Sequence, residues 1–245
     1  MDSGKLARQL SSFALIMALG AVMIAAGGMT LARFDVIPKI AGFQAFLYMI
    51  PVAGIASLFA VFALLLNMRT GWPAGLKAVM ALVIGGGSAL AATMAMSAAG
   101  TVPAIHDVTT DLENPPEFAA LKLPDNNLRG VDSVDKWKEL HRDGYGDLEG
   151  IVLEATPAEV VARAALLARE KGWKVEVAEA DEGHLEAIAY ASYIRFEDIV
   201  VLRAEMIDEG RTQVDMRSVS RVGVSDLGVN AERIREFLAA LQTAD

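Results

Sequence analysis

Three long apolar runs fill the first hundred positions of this chain, and shorter runs alternating with polar residues fill the rest. No charge interrupts residues 9–32, 40–68 or 78–105. Each run exceeds the roughly 20 apolar residues needed to cross a hydrocarbon core. None carries the polar face that a helix at a soluble core would show. The pattern predicts a membrane domain over residues 1–100, with spans near 11–31, 45–66 and 78–99. Pro51 predicts a kink in the second span. The first run has the basic start (Lys5, Arg8) and small residues (Ala25, Ala26, Gly27) of a secretory signal. It is nevertheless too long for a signal core, so it is read as a retained span.

From residue 150 the period changes. A short strand is predicted at 150–154, followed by Thr156-Pro157-Ala158-Glu159, which has the spacing of a capping box with Pro at the first helical position. The helix places Val160, Val161, Ala164, Leu167 and Ala168 on one face and stops at Gly172. Strands are predicted near 173–179, 184–192, 198–206 and 211–219, with Asp181-Glu182-Gly183 and Asp208-Glu209-Gly210 as hairpin turns. Asn230 is expected to cap a last helix whose apolar stripe is Ile234, Phe237, Leu238 and Leu241. The expected fold class is three transmembrane helices plus an α+β domain over 150–245. Its order is β-α-β-β-β-β-α, with an antiparallel sheet and two helices on one face. By alternation, Val200, Leu202, Ala204, Met206, Val214 and Met216 face those helices. Arg203, Glu205, Gln213, Asp215 and Arg217 face away, beside Glu186 and Tyr190. That second face reads either as a solvated surface with cross-strand ion pairs or as an open binding surface.

Residues 101–149 have no sustained period. Pro103, Asn114-Pro115-Pro116 and Pro124 break regular structure, so the segment reads as an extended linker. One short amphipathic helix is expected around Val134, Trp137 and Leu140, with Trp137 set against either the soluble domain or the lipid headgroups. A fragment of residues 145–245 is expected to fold without it.

Charge divides at the same boundary. Residues 1–100 carry six Lys/Arg and two Asp/Glu, whereas the remainder carries 16 and 29, within an overall net charge of −9. An acidic soluble half argues against nucleic acid as a partner. The absence of Cys removes disulfides and thiolate metal sites. His106, His141 and His184 are too scattered for a helical metal motif, so neither a metal nor a cofactor is expected. The third span repeats small residues every fourth position, at Ala81, Gly85, Ala89, Thr93 and Ser97. This face either packs the three spans together or docks another membrane or envelope protein. No span holds an internal Asp, Glu, Lys or Arg, which argues against a transporter.

The candidate chemistry concentrates in one block. Arg217, Ser218, Ser220, Arg221, Ser225, Asp226 and Asn230 crowd the stretch between the last strand and the last helix, with Gly223 and Gly228 for tight turns. Hydroxyls, guanidinium groups and backbone donors near a helix start suit an anion site. The same residues also suit a structural knot of local turns and ion pairs. With Arg203 and Asp215 from the polar sheet face, they form the candidate binding set. Arg221 is expected to pair with Asp226, and Arg217 to stand in the open, so Arg221→Ala should destabilise more than Arg217→Ala. Catalysis by Ser220 or Ser225 would need a base, and His184 is the one candidate by chain order. No Gly-x-Ser-x-Gly elbow is present, and no catalytic residue is assigned.

Several stretches look familiar together. These are His106-Asp-Val-Thr-Thr-Asp111 followed by Asn114-Pro-Pro116, the Gly172-Trp173 pair, Arg195-Phe-Glu-Asp-Ile-Val-Val-Leu-Arg203, and the long block from Val214 to Asn230. In them the chain resembles the bacterial domain-of-unknown-function family numbered 1499, over about residues 105–242. Several members are similar in placing membrane spans ahead of the domain. The resemblance implies no established activity.

These readings converge on a membrane-anchored binding or interaction protein that is not an enzyme. The alternative is a small-molecule or lipid-binding domain, and less so a hydrolase. The partners expected are the lipid bilayer and another membrane or envelope protein. Lys5, Arg8, Arg69 and Lys77 fall on one side of the membrane, against Arg33 and Lys39 on the other. The positive-inside rule then places the N-terminus in the cytoplasm of a bacterial inner membrane and the soluble domain in the periplasm. A reporter enzyme active only in the periplasm, fused after Asp245, should therefore be active. Activity of a cytoplasm-only reporter at the same point would reverse the topology.

Overall fold

The computed structural model describes residues 2–100 and 102–243 and divides at Ala99/Gly100 into two compact units. The first unit holds three helices, α1 (Ser3–Arg33), α2 (Lys39–Arg69) and α3 (Gly75–Ala99), each long and apolar enough to span a membrane. All three outrun the expected spans. Pro51 lies inside α2.

What joins the helices is small side chains. The buried positions of α1 are Ala7, Ser11, Ala14, Ala18, Ala21, Ala25 and Ala32. Those of α2 are Gly42, Met49, Ala53, Ala56, Ala60, Ala63 and Asn67. The spacing alternates between three and four residues, the seven-residue repeat of a left-handed supercoil. Lipid tails are as apolar as Leu, so close packing has to hold the helices together, and small residues let backbones approach. At Gly42 the approach leaves no room for a side chain, since an added Cβ would fall 2.3 Å from Cβ of Ala32. Ala81 and Gly85 of α3 are buried in the same bundle, Gly85 against Ser57 and Ala53, while Thr93 and Ser97 are exposed. The small-residue face of α3 thus packs the spans together over its first half. Asn67 closes the end of the bundle. It donates to Ser11 Oγ at 3.0 Å and to the carbonyl of Ala63 at 2.7 Å, and accepts from the N–H of Ala74 at 2.7 Å.

The second unit contains β1 (Asp107–Thr109), α4 (Val134–Tyr145), β2 (Ile151–Leu153), α5 (Pro157–Glu170), β3 (Lys174–Glu179), β4 (His184–Ala191), β5 (Phe196–Asp208), β6 (Arg211–Ser220) and α6 (Val229–Thr243). The sheet is antiparallel, in the order β1-β6-β5-β4-β3, with β2 also paired to β6. The capping box at Thr156 forms, and Gly172 ends α5 in the left-handed conformation at φ +75°. One sheet face carries Leu185, Ala187, Val200, Leu202, Ala204, Val214 and Met216 into a core with α5 and α6. Met206, expected on that face, pairs in register with Thr212 but is exposed near the β5–β6 hairpin end.

The linker expectation is corrected. Residues 102–149 belong to the soluble unit and supply Ile105, Val108, Trp137, Tyr145 and Leu148 to its core. Sequence pattern missed this because the segment is held side chain to backbone. A Pro-rich extended backbone has few ladder partners of its own, and buried carbonyls and N–H groups must find partners. Here the sheet supplies them. Glu186, fully buried on the second sheet face, accepts from the N–H groups of Ala119, Ala120 and Leu121 at 2.5, 2.9 and 2.6 Å. Residues 110–121 thereby form a strap across the face expected to be open.

Among the described residues, the core of the soluble unit is built from residues between Val102 and Leu241. A fragment starting at residue 100 should therefore melt cooperatively in water, followed by near-ultraviolet circular dichroism. A fragment starting at residue 145 lacks β1, the strap and Trp137, and should be molten or insoluble. Equal cooperativity of the two would mean that the strap is dispensable.

Candidate functional site

The polar residues of the candidate set separate onto the two faces of the sheet, following strand alternation. On the strap side, Arg217 Nε and Nη2 hold the two oxygens of Asp107 at 2.9 and 2.6 Å, a bidentate pair. Both side chains are nearly buried, at 12% and 4% exposure. Asp107 also accepts from Asn127 Nδ2 at 2.5 Å, and its carbonyl accepts from the Trp137 indole at 2.9 Å. One residue thus gathers β1, β6, the segment after the strap and α4. Arg203 reaches Asp111 at 2.9 Å and Asp215 at 3.4 Å, and donates to the carbonyl of Asn114. Thr110 donates to Asp215 at 2.8 Å. Burial pushes the Glu186 carboxyl up, but the His184 ring at 2.8 Å and the three strap N–H groups outweigh it and hold the group below its ordinary range.

On the helix side, Ser218, Ser220 and Asn230 meet Arg233 and Asp198. Ser218 Oγ donates to Asn230 Oδ1 at 2.7 Å, and Asn230 Nδ2 donates to Ser220 Oγ and to the carbonyl of His106, each at 3.0 Å. Arg233 donates to Ser218 Oγ at 2.9 Å, to Asn230 Oδ1, and to Asp198 at 2.6 Å. All five residues are buried. Asn230, expected to cap α6, lies inside it. Asp226 serves the helix start instead, accepting from the N–H groups of Gly228 and Asn230 at 2.9 and 2.7 Å. Burial raises the Asp226 carboxyl, and those two N–H groups oppose the rise.

Two expectations are corrected by this geometry. Arg221 does not pair with Asp226. It is half-exposed and approaches Glu197 at 3.5 Å. Arg217, Arg203 and Asp215 do not stand on an open surface, because the strap covers them. Ser225 accepts from the N–H of Leu227, a local turn. The block therefore acts as a structural knot that ties strap, sheet and last helix together. Among the described residues no serine is hydrogen-bonded to an imidazole. His141 accepts from the N–H of Thr109 at 3.1 Å, and His184 is bound to Glu186.

Sequence reading placed Glu186 on the polar face but missed Asp107, Asp198 and Arg233 as members of these networks. For two of them a signal existed. Asp198 alternates with Val200 and Leu202 on the inward strand face, and Arg233 follows Asn230 by three on the inward face of α6. Two opposite charges forced inward must pair.

An open cleft lies above the helix-side network. Its volume is about 420 Å³, and it is lined by Lys171, Trp173, Tyr190, Ser192, Arg233 and Glu236 among others. Trp173 stacks on Phe237 with centroids 4.8 Å apart, which fixes the indole at the rim. The Arg195 guanidinium lies 3.9 Å from the centroid of the Tyr190 ring. Lys171, Ser192 and Glu236 are exposed there. Mixed charge beside a fixed aromatic suits recognition of a small polar ligand.

The stability order of the two arginines follows from burial. Arg217→Ala strands the Asp107 carboxylate without its partner and should cost about 3–5 kcal/mol. Arg221→Ala breaks an exposed contact and should cost within about 1 kcal/mol. Urea unfolding of the soluble unit measures both, and an inverse order would mean that Asp107 is satisfied without Arg217.

No curated protein matches the chain. The model of a family described as proteins of unknown function, DUF1499, matches residues 107–241, from the first strand through the last helix. The match spans more than half of the chain and contains both buried networks, the strap and the cleft. This chain is a member of the DUF1499 family, with three membrane-spanning helices ahead of the family domain.

Proposed function

We propose that this protein is anchored in a bacterial inner membrane, holds its acidic α+β domain in the periplasm, and binds an envelope component there without catalysing a reaction. The positive-inside asymmetry of the short loops supports the orientation. The cleft beside α6 carries the binding reading. Arg217 and Asp215 of the family block are consumed in internal pairs, and Ser218, Ser220 and Asn230 build the wall behind the cleft with Arg233. Arg233 connects the two, since it lines the cleft while holding Asp198 and Ser218. The volume suits a small molecule or the terminal group of a larger envelope component, within the usual range of about 300–1,000 Å³ for ligand pockets. This size favours a small ligand over a broad protein interface at this place.

Lys171 and Glu236 are exposed cleft residues and can be changed without disturbing the core. Full-length protein purified in mild detergent should retain a lipid, glycan or small protein, detected by mass spectrometry. A Lys171→Glu, Glu236→Trp variant should lose that species at least about tenfold while keeping its melting temperature, as expected when charge contacts and the space of a pocket are removed together. Retention of the same species by the variant would remove the cleft from the binding site.

A further inference from the structure

The loop between β6 and α6 has a second property that the buried networks do not use. Its apolar side chains point outward. Val222, Val224, Leu227 and Val229 are 38–55% exposed. Leu128 joins them at 39% exposure, two residues from Gly130, where an added Cβ would fall 3.0 Å from Val224. Single exposed apolar residues need no explanation, but five on one turn and its neighbour make a patch. The backbone beneath them is fixed. Arg129 donates to the carbonyls of Gly223 and Ser220, each at 2.5 Å, and the N–H of Asp226 donates to the carbonyl of Ile105 at 3.1 Å. The apolar side chains are therefore held out by a rigid scaffold, and the loop does not gain burial by folding back.

Chain connectivity indicates what such a patch meets. An added Cβ at Gly228, within this loop, would fall 3.3 Å from Val102. Val102 follows the last residue of α3, Ala99, by three positions. Three residues of extended chain reach about 10 Å. Chain connectivity alone therefore keeps Val102, and the loop residue beside it, within about 10 Å of the end of a helix long and apolar enough to span the bilayer. Apolar side chains beside the boundary of headgroups and acyl chains are stabilised by entering it.

We propose that Val222, Val224, Leu227 and Val229 form a lipid-contacting loop that seats the soluble domain on the surface of the membrane in which its own helices are embedded. The occupant of the patch is the interfacial layer of the bilayer. Val229 also lines the cleft, so the cleft opens beside that layer. This inference rests on the membrane spans and on the loop, and does not depend on the cleft binding anything.

The natural chain has no Cys, so single cysteines can be labelled without background. Full-length Val224→Cys and Leu227→Cys proteins, each carrying an environment-sensitive fluorophore, are placed in nanodiscs of phosphatidylethanolamine and phosphatidylglycerol with or without brominated acyl chains. Ile207→Cys is the reference. It is exposed at the β5–β6 turn, ten or more strand residues from the loop, about 30 Å away. Bromolipid should quench the labels at 224 and 227 at least twofold and leave the label at 207 unchanged. Labels at 224 and 227 that are unquenched, whether open to aqueous iodide or shielded from it by protein, would overturn the proposal. The shielded result would assign the patch to a protein partner or a second copy. Ligand capture in the cleft is read separately, so the two ideas fail independently.

Discussion

The bidentate pair between Asp107 and Arg217 is the interaction on which the soluble domain is hung. Asp107 sits at the start of the first strand, and Arg217 near the end of the last, 110 positions later. Taking both charges out of water is expensive, and their attraction offsets that cost only where further hydrogen bonds satisfy the remaining valences. Asn127 supplies one such bond to the Asp107 carboxylate. The neighbouring backbone carbonyl is used as well, by the indole of Trp137. Strands β1 and β6, the segment after the strap and helix α4 thus meet around one residue. Removing either charge leaves its partner buried and alone, which is why the pair enforces one arrangement of the chain even where its net contribution to stability is small.

The same logic governs the strap. An extended segment with two adjacent prolines has no ladder of its own, yet it lies over a sheet face bearing Ile199, Val201 and Val219, all fully buried. Its backbone is paid for in hydrogen bonds by Glu186, Arg203 and Arg217. The charged residues that looked like a recognition surface are the partners of that backbone. The opening in the domain lies on the opposite side, where α6 and the turn after α5 leave a cleft.

In the membrane half the constraint is steric. Lipid offers no hydrophobic gain from helix contact, so the helices meet where alanine and glycine let their backbones approach. Large side chains such as Phe62, Leu65 and Met23 point outward, the reverse of a soluble bundle. Among the described residues, the buried polar pair Asn67 and Ser11 ties helix ends together. The chemistry that distinguishes this protein is therefore concentrated in the domain beyond residue 100.

Much of this could be read from the chain alone. Length and apolarity determine the three spans, because a hydrocarbon core demands about 20 residues without charge. Period and capping chemistry determine β2 through α6, since Thr156, Glu159, Gly172, Gly183 and Gly210 are local signals with local causes. The family block was legible as a block. Its role was not, because a serine or arginine that closes a buried network has the same letters as one that binds a ligand. Only the tertiary structure decided that Arg217 meets Asp107, that Arg221 does not meet Asp226, and that residues 102–149 belong to the core. Each of these depends on partners 24 to 110 positions apart or on a backbone without period. Local pattern carries no record of such contacts, which arise when a buried charge or an unpaired carbonyl finds the group that satisfies it.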